Sequence, residues 1–568
     1  MEKPWLAFYE PEVPHTIDYP TMPLHQMLED SARKYPDHIA AKLILRYLGP
    51  LRMGGTMTYR QLLDNVNRFA AALHAFGVRK GDRVAIMLPN LPQFPIAFFG
   101  TLKLGAIVVN TNPTYTSREI QHQFSDAGAE TVVVLSAFYP RLKEIQAQTQ
   151  VKRVIIADVP DYVPAPLDVL VKSNVKKHGL MVDVPLGDGV YNLKALLAQH
   201  PEKPPDVKVE AGDTALFQYT GGTTGVPKAA MLSHYNLVAN TVQVKNWMHT
   251  LEEGKERIMG AIPFFHVYGM TVAMLLSVYL GAELDIVPNP RPIDGVMLAI
   301  QKERSTIYPG VPTMYIGIIN HPKVKEYDLT SVKACISGAA PLPMDVQVKF
   351  GEITGGRLVE GYGLTEAAPV THCNPIYGER RAGSIGLPFP DVEAKIVDYE
   401  KMVDRPVGED GELWVKGPQV MQGYWGRPDE TAKTITEDGW LRTGDIARQD
   451  DEGYFYIVDR LKDIIIASGF NIVPREVEEV LFLHPKVQEA VVAGVPDKFR
   501  GETVKAYVVL KEGEACTTDE LVQFCKERLA PYKVPRQIEF RSELPKTQVG
   551  KFLRRVLVEE ERKRLEQS

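Results

Sequence analysis

The sequence predicts an α/β protein: a large N-terminal domain of several subdomains built on parallel-type sheets, followed by a small α+β C-terminal domain. Three observations carry that prediction. Short β-branched runs alternate with longer helix-period stretches along most of the chain. The texture changes near Asp459, after which shorter strands and helices follow one another. The 568 residues suffice for about four domain-sized units with a substantial buried core.

In chain order, the strand-like runs are RVAIMLP near Arg83, TVVVLS near Thr131, RVIIADV near Arg153, TALFQYT near Thr214, ELDIVP near Glu283 and KACISGAA near Lys333. Between about Asp158 and Asp213 many prolines and scattered lysines predict a surface excursion rather than a sheet. Within it, Asp168 to Leu180 is weakly amphipathic and basic, which fits a solvated helix face or a membrane-surface contact. Ile258 to Ala282 contains no Asp, Glu, Lys or Arg, but Pro263, His266 and Gly269 interrupt it. It divides into a short strand, IMGAIP, and a buried apolar helix from about Met270 to Ala282, too short to span a bilayer. Past Asp459 come the strands AVVAGV and KAYVVL, a helix from Thr518 to Leu529 and a charged last helix from about Lys551.

Composition excludes several classes of function. The 65 Lys and Arg against 71 Asp and Glu give a net charge of −6, which offers polyanions no global attraction, so nucleic acid is not expected as a partner. Hydrophobic residues at 45% and charged residues at 24% describe an ordinary globular protein rather than a disordered one. The four cysteines, Cys335, Cys373, Cys516 and Cys525, include no CxxC pair and cannot frame disulfides or zinc. With Glu2, Glu10 and Glu12 where an export signal would need apolar residues, a reducing cytoplasm is expected.

The most specific local signal is YTGGTTGVPK, Tyr219 to Lys228, between the strand TALFQYT and a helix expected from about Ser233. Gly221, Gly222 and Gly225 let backbone N–H groups approach oxyanions, Thr220, Thr223 and Thr224 add hydroxyl donors, and Lys228 adds a positive charge. A Walker A loop would place its lysine directly after the glycine, whereas Val226 and Pro227 intervene here.

Together with EGYGLTE (Glu360 to Glu366), TGD (Thr443 to Asp445), VDRLKD (Val458 to Asp463), SGFNIVP (Ser468 to Pro474) and LPKTQVGK (Leu544 to Lys551), this loop resembles the ordered motifs of the acyl-adenylate-forming superfamily. Within it the chain is most similar to bacterial long-chain fatty-acid–CoA ligases, from PWLAFY through GELWVKGPQVMQGYW to YKVP and GKFLRR. The resemblance covers essentially the whole length. It implies an acyl-CoA synthetase-like fold, with residues 1–458 as the nucleotide- and acyl-binding domain, 459–463 as a hinge and 464–568 as a mobile domain carrying the catalytic lysine.

The same resemblance implies ATP, Mg²⁺, coenzyme A and a fatty acid as the molecules bound. It assigns the Thr220 to Lys228 loop to the phosphates and Glu366 to Mg²⁺ with Thr365 beside it. Tyr362 would stack on adenine, with Glu360 and Gly361 preceding it and the backbone of Gly338, Ala339 and Ala340 opposite. Asp445 would take the ribose hydroxyls, Arg460 the ribose or phosphate, and Lys551 would bridge carboxylate and α-phosphate. Lys462 matches the hinge, and Gly469 lies where the coenzyme A arm would pass. His266 would sit beside the acyl carboxyl, although a lone histidine before a helix is more often structural.

The acyl pocket implied by the family maps onto FFHVYGM, YPGVPTMY and SGAAP, whose side chains are apolar or small. No acid stands there for an α-amino group, which disfavours amino acids as substrates. Met270 replaces the tryptophan gate of some long-chain enzymes, Ala229 a common glycine, and Ala467 a bulkier residue. A fatty-acyl-AMP ligase is the nearest alternative; only 17 residues follow Lys551 and no insertion interrupts the hinge, which argues against it. A medium-chain or aryl acid, a non-catalytic uptake or nucleotide-binding protein, a homodimer and peripheral contact with the inner face of the membrane stay open.

Overall fold

The computed structural model describes residues 3–204, 206–220, 227–467, 470–497, 501–547 and 552–567. All six strand-like runs of the N-terminal region form strands. An eight-stranded sheet has the order Gly423–Tyr424, Lys228–Ser233, Thr214–Thr220, Ile107–Asn110, Arg83–Met87, Thr131–Leu135, Arg153–Ala157, Val190–Asn192. Its inner strands are parallel and buried on both faces, so Thr131–Leu135 reads TVVVL with every residue buried rather than alternating. The sheet is not wholly parallel, however. Lys228–Ser233 runs antiparallel to Thr214–Thr220, and Gly423–Tyr424 runs antiparallel to it in turn.

The same pairing fills a stretch that the sequence leaves unassigned: the strand Lys228–Ser233 stands between the glycine-rich loop and the expected helix. The helix begins one residue after the expected position, at His234–Trp247, because Ser233 caps it. The Ser233 hydroxyl accepts from Asn236 N–H and the Asn236 side chain accepts from Ser233 N–H. The excursion between Asp158 and Asp213 holds the expected helix, at Leu167–Lys177, but it also joins the sheet, contrary to expectation. It supplies the edge strand Val190–Asn192, held parallel to Arg153–Ala157, and the helices Leu167–Lys177 and Leu193–Gln199. Three residues are too few to show the alternation that marks a strand in a sequence.

A second layer places Arg257–Gly260, Glu283–Ile286, Ile39–Leu43 and Thr56–Thr58 in one sheet. Ile307 bridges it, through Ile258 on one side and Ala334 on the other, to a sheet that begins with Ala334–Ser337, Arg357–Gly363 and Val370–Cys373. The helices Gln93–Lys103 and His234–Trp247 lie within the core, with ten residues of the first and eleven of the second buried. The first is apolar on nearly every side, as an interior helix must be; the second buries polar side chains that find partners, such as Asn240, which donates to Val370 O at 2.7 Å. The apolar stretch after His266 starts as a helix at Val267, passes through a π-helical turn at Met270–Leu275 and ends at Leu280. Among the described residues no helix is long and apolar enough to cross a membrane.

A fourth sheet, Glu393–Val397, Gly411–Lys416, Leu441–Gln449 and Phe455–Arg460, closes the N-terminal region. The opening PWLAFY serves it: Pro4–Phe8 is a 3₁₀ turn whose buried Trp5 meets Phe455 edge-on at 6.1 Å. Beyond residue 464 a separate five-stranded sheet is built on Val487–Asp497 and Gly501–Leu510, with the helices Pro474–Phe482 and Thr518–Lys526 and the last helix Arg554–Gln567. It has its own apolar clusters, including Ile465, Val477, Leu481, Val492 and Leu521.

Candidate active site

Ala334–Ser337 and Arg357–Gly363 are adjacent parallel strands, with Ser337 paired to Glu360. Their carboxyl ends therefore deliver Gly338, Ala339 and Ala340 and the run Glu360, Gly361, Tyr362 to one edge, where α/β sheets hold ligands. Glu360 is 6% exposed, and its carboxylate accepts the Leu342 N–H at 3.0 Å, which pins the loop that contains Ala339. Burial pushes its pKa up to about 7. Ala339 has φ +69° and Ala368, after the Thr365–Ala367 turn, has φ +65°. A non-glycine residue in that region costs of order 1–3 kcal/mol, and such strain collects at working sites. A Cβ on Gly338 would stand 3.1 Å from the Tyr268 ring, so glycine is what lets this loop lie against that ring.

Tyr362 faces Asp445, which lies on Leu441–Gln449 opposite Arg460 on Phe455–Arg460. The Tyr362 hydroxyl donates to Asp445 Oδ2 at 2.5 Å, and Arg460 Nε lies 3.3 Å from Oδ1. Burial and the facing carboxylate hold the Tyr362 phenol well above its ordinary pKa, so it remains a donor. The Asp445 N–H is held by Thr443 Oγ1 at 3.1 Å, and the neighbouring Gly444 N–H by Glu412 at 3.1 Å. The TGD turn is thus fixed from behind.

At the base of the glycine-rich loop, Thr220 and Lys228 are partners across the antiparallel pair. The Lys228 ammonium is ion-paired with Glu430 and sits 5.3 Å from the centroid of the Tyr424 ring. The Tyr424 hydroxyl donates to Glu366 Oε1 at 2.7 Å, and Met421 N–H donates to the Glu366 carbonyl at 2.8 Å. Glu366 and Thr365 are half-buried in the Thr365–Ala367 turn, three residues past Tyr362. The Glu366 carboxylate is a hard oxygen donor of the kind Mg²⁺ requires, with one oxygen aligned by Tyr424.

His266 caps the helix that follows it, its Nδ1 accepting from Tyr268 N–H at 3.3 Å. Tyr268 donates to the Ile336 carbonyl at 2.6 Å, which joins this segment to the strand that leads into Gly338. Met270 is fully buried, with its sulfur 3.5 Å from the Asn110 amide nitrogen, and that amide also donates to Gln218 at 3.1 Å. Asn90 was not singled out from the sequence, yet its side chain holds Gly260 O, Ile262 O and Phe264 N–H.

Lys462 lies in the 3₁₀ turn Leu461–Asp463. Around that turn Arg554 gathers three carboxylates: Asp463 at 2.9 Å, Asp459 at 3.4 Å and a two-pronged contact with Glu478 at 2.7 and 2.9 Å. Asp459 also accepts the Arg475 N–H at 2.8 Å. Tyr424, Glu430 and Arg554 are therefore site neighbours that sequence reasoning missed. Tyr424 lay within the quoted GELWVKGPQVMQGYW, Glu430 reads as an ordinary acid in a helix's first turn, and Arg554 as a solvated basic residue. Gly221, Gly222, Thr223, Thr224, Gly225, Gly469 and Lys551 lie outside the described residues.

Residues 28–425 match the AMP-binding enzyme family and residues 476–551 the AMP-binding enzyme C-terminal domain. The chain is 46% identical over 563 residues to a long-chain-fatty-acid–CoA ligase of Bacillus subtilis, covering 99% of this chain and 98% of the relative. It is 43% identical over 568 residues to a long-chain-fatty-acid–CoA ligase of Salmonella typhimurium, covering 99% of each. Among solved structures, ATP-bound MatB from Rhodopseudomonas palustris superposes with a TM-score of 0.81 at 28% identity, covering 95% of this chain and 99% of that one.

Proposed function

Since this chain belongs to the AMP-binding enzyme family, we propose that it is a long-chain fatty acid–CoA ligase, which turns ATP, a fatty acid and coenzyme A into acyl-CoA, AMP and pyrophosphate. The observation that carries this reading is similarity to two long-chain-fatty-acid–CoA ligases along 99% of the chain.

The first half-reaction must bring a carboxylate onto a polyanion. Two unit charges 4 Å apart repel by about 1 kcal/mol in water and about 4 kcal/mol at an effective dielectric of 20. In this reading Thr220, Lys228 and the loop between them surround the β- and γ-phosphates, with Lys228 exchanging Glu430 for phosphate oxygens. Glu366, with Thr365 beside it, would hold Mg²⁺, which when bound neutralises phosphate charge. Tyr362 packs on adenine against the Gly338 to Ala340 loop. Asp445 has lone pairs beyond those used by Tyr362 and Arg460, and these accept the ribose hydroxyls.

A carboxylate oxygen then attacks the α-phosphorus, the bond to the β-phosphate oxygen breaks and pyrophosphate leaves. Lys551 balances charge between the carboxylate and the α-phosphate, and His266 borders the acyl carboxyl. In the second half-reaction the coenzyme A sulfur attacks the acyl carbon, the thiol proton goes to solvent and AMP departs. Residues 459–463 act as the hinge and 464–568 as the moving domain, which brings Gly469 to the coenzyme A arm. A fatty acid partitions into lipid, so peripheral contact with the inner face of the membrane fits the exposed Val169 and Leu170 on Leu167–Lys177.

The two steps separate experimentally. Wild-type protein should exchange labelled pyrophosphate into ATP when given a fatty acid, and Lys551→Ala should lose that exchange while still converting supplied acyl-AMP to acyl-CoA. Exchange that survives in Lys551→Ala would contradict the assignment of the lysine.

A further inference from the structure

Lys228 and Glu366 carry opposite charges at the mouth of one site, and each is needed for something other than the other. A direct pair between them would occupy the cation meant for phosphate and one of the two carboxylate oxygens meant for a metal. Tyr424 touches both. Its hydroxyl reaches Glu366 Oε1 at 2.7 Å, and Lys228 lies over its ring at 5.3 Å from the centroid. The residue is buried and anchored: its N–H donates to Thr431 Oγ1 at 2.9 Å, and its strand pairs with the one that carries Lys228. The Lys228 ammonium is meanwhile taken by Glu430, which also holds Lys433 at 3.1 Å.

We propose that Tyr424 is a positioning residue of the adenylation step. Its hydroxyl holds one oxygen of Glu366 and leaves the other for the Mg²⁺ that Glu366 would bind, while its ring keeps Lys228 on the Glu430 side until phosphate arrives. Glu430 is the counter-ion that Lys228 gives up on binding ATP. This inference rests on the ligase reading above. It adds two residues to that reading and gives them opposite effects on nucleotide binding: the tyrosine favours metal-bound ATP, and the glutamate opposes ATP of either form.

Calorimetric titration of ATP, with fatty acid and coenzyme A absent so that no turnover occurs, tests it in magnesium and again in EDTA. Tyr424→Phe keeps the ring and loses the hydroxyl. Loss of a group that orients a metal ligand costs about tenfold or more in affinity. The variant should therefore bind ATP about tenfold more weakly in magnesium and within about twofold of wild type in EDTA. Glu430→Gln frees Lys228 from a half-exposed ion pair and should tighten ATP in EDTA by about two- to fivefold. A general loss of structure would weaken binding in both variants and both buffers, and melting temperatures report it separately. Tyr424→Phe binding metal-bound ATP as wild type does, or Glu430→Gln binding metal-free ATP no more tightly, overturns the proposal. Wild type failing to bind ATP at all overturns the ligase reading instead.

Discussion

Tyr362 and Asp445, 83 residues apart in the chain, meet through a 2.5 Å hydrogen bond from phenol to carboxylate. The bond joins two sheets, because Tyr362 lies one residue before the end of Arg357–Gly363 and Asp445 lies within Leu441–Gln449. It fixes the ring and the carboxylate in one geometry before any nucleotide enters, and such preorganisation lowers the ordering cost of binding.

Removing either end should act on the nucleotide rather than on the fatty acid. Hydrogen bonds to charged groups contribute about 1.5–3 kcal/mol. Tyr362→Phe should raise KM for ATP by about tenfold, whereas Asp445→Asn, which also strips Arg460 of its partner, should raise it further. KM for fatty acid should stay within about twofold, as steady-state kinetics with each substrate varied would report.

Glu360 gives a stability signature in pH. Its folded pKa of about 7 exceeds the ordinary 4.5, so the folded state holds the proton more tightly than the unfolded state does. Its contribution is favourable below pH 4.5 and is lost as pH rises from 4.5 through about 7. The full loss is of order 3 kcal/mol. Glu360→Gln keeps an acceptor for the Leu342 N–H and carries no charge, so its melting temperature should exceed that of wild type at pH 8 and converge with it near pH 5. Equal melting temperatures at pH 8 would contradict the account.

Arg554 is the one described cation reaching Asp459, Asp463 and Glu478 together, and Glu478 is largely buried. Breaking a buried charge cluster by removing one partner costs about 3–5 kcal/mol, here toward the lower end because the arginine side chain retains 21% exposure. Arg554→Ala should speed hydrogen exchange in Phe455–Arg460 and Pro474–Phe482 and slow adenylation, while exchange in the eight-stranded sheet stays unchanged.

Met270 is fully buried beside Asn110. Met270→Ala should cost about 2–5 kcal/mol in stability and leave space that longer or bulkier acids can use. Rates measured across a series of acids should shift toward greater length or width, with ATP kinetics little altered.

Much of this was legible in the chain because the signals are local. TVVVL, RVIIA and TALFQYT are strands by composition alone, and Tyr362, Asp445 and Glu366 sit in short motifs whose spacing survives in the sequence. Tyr424 with Glu366 spans 58 residues and Lys228 with Glu430 spans 202, so the contacts that define their roles exist only once sheet edges meet. The strand Lys228–Ser233 was missed for a related reason: it fills the few residues between a glycine-rich loop and a helix, and only pairing with Thr214–Thr220 and Gly423–Tyr424 makes KAAMLS a strand. Val190–Asn192 is held by a single neighbour and carries no alternation to read.

The most direct measurement is product analysis of the wild-type protein with ATP, Mg²⁺ and coenzyme A across saturated fatty acids from short to long. The account predicts acyl-CoA and AMP in equal amounts, with the highest rates for long acids. Acyl-AMP without thioester at every length, or ADP in place of AMP, would contradict it.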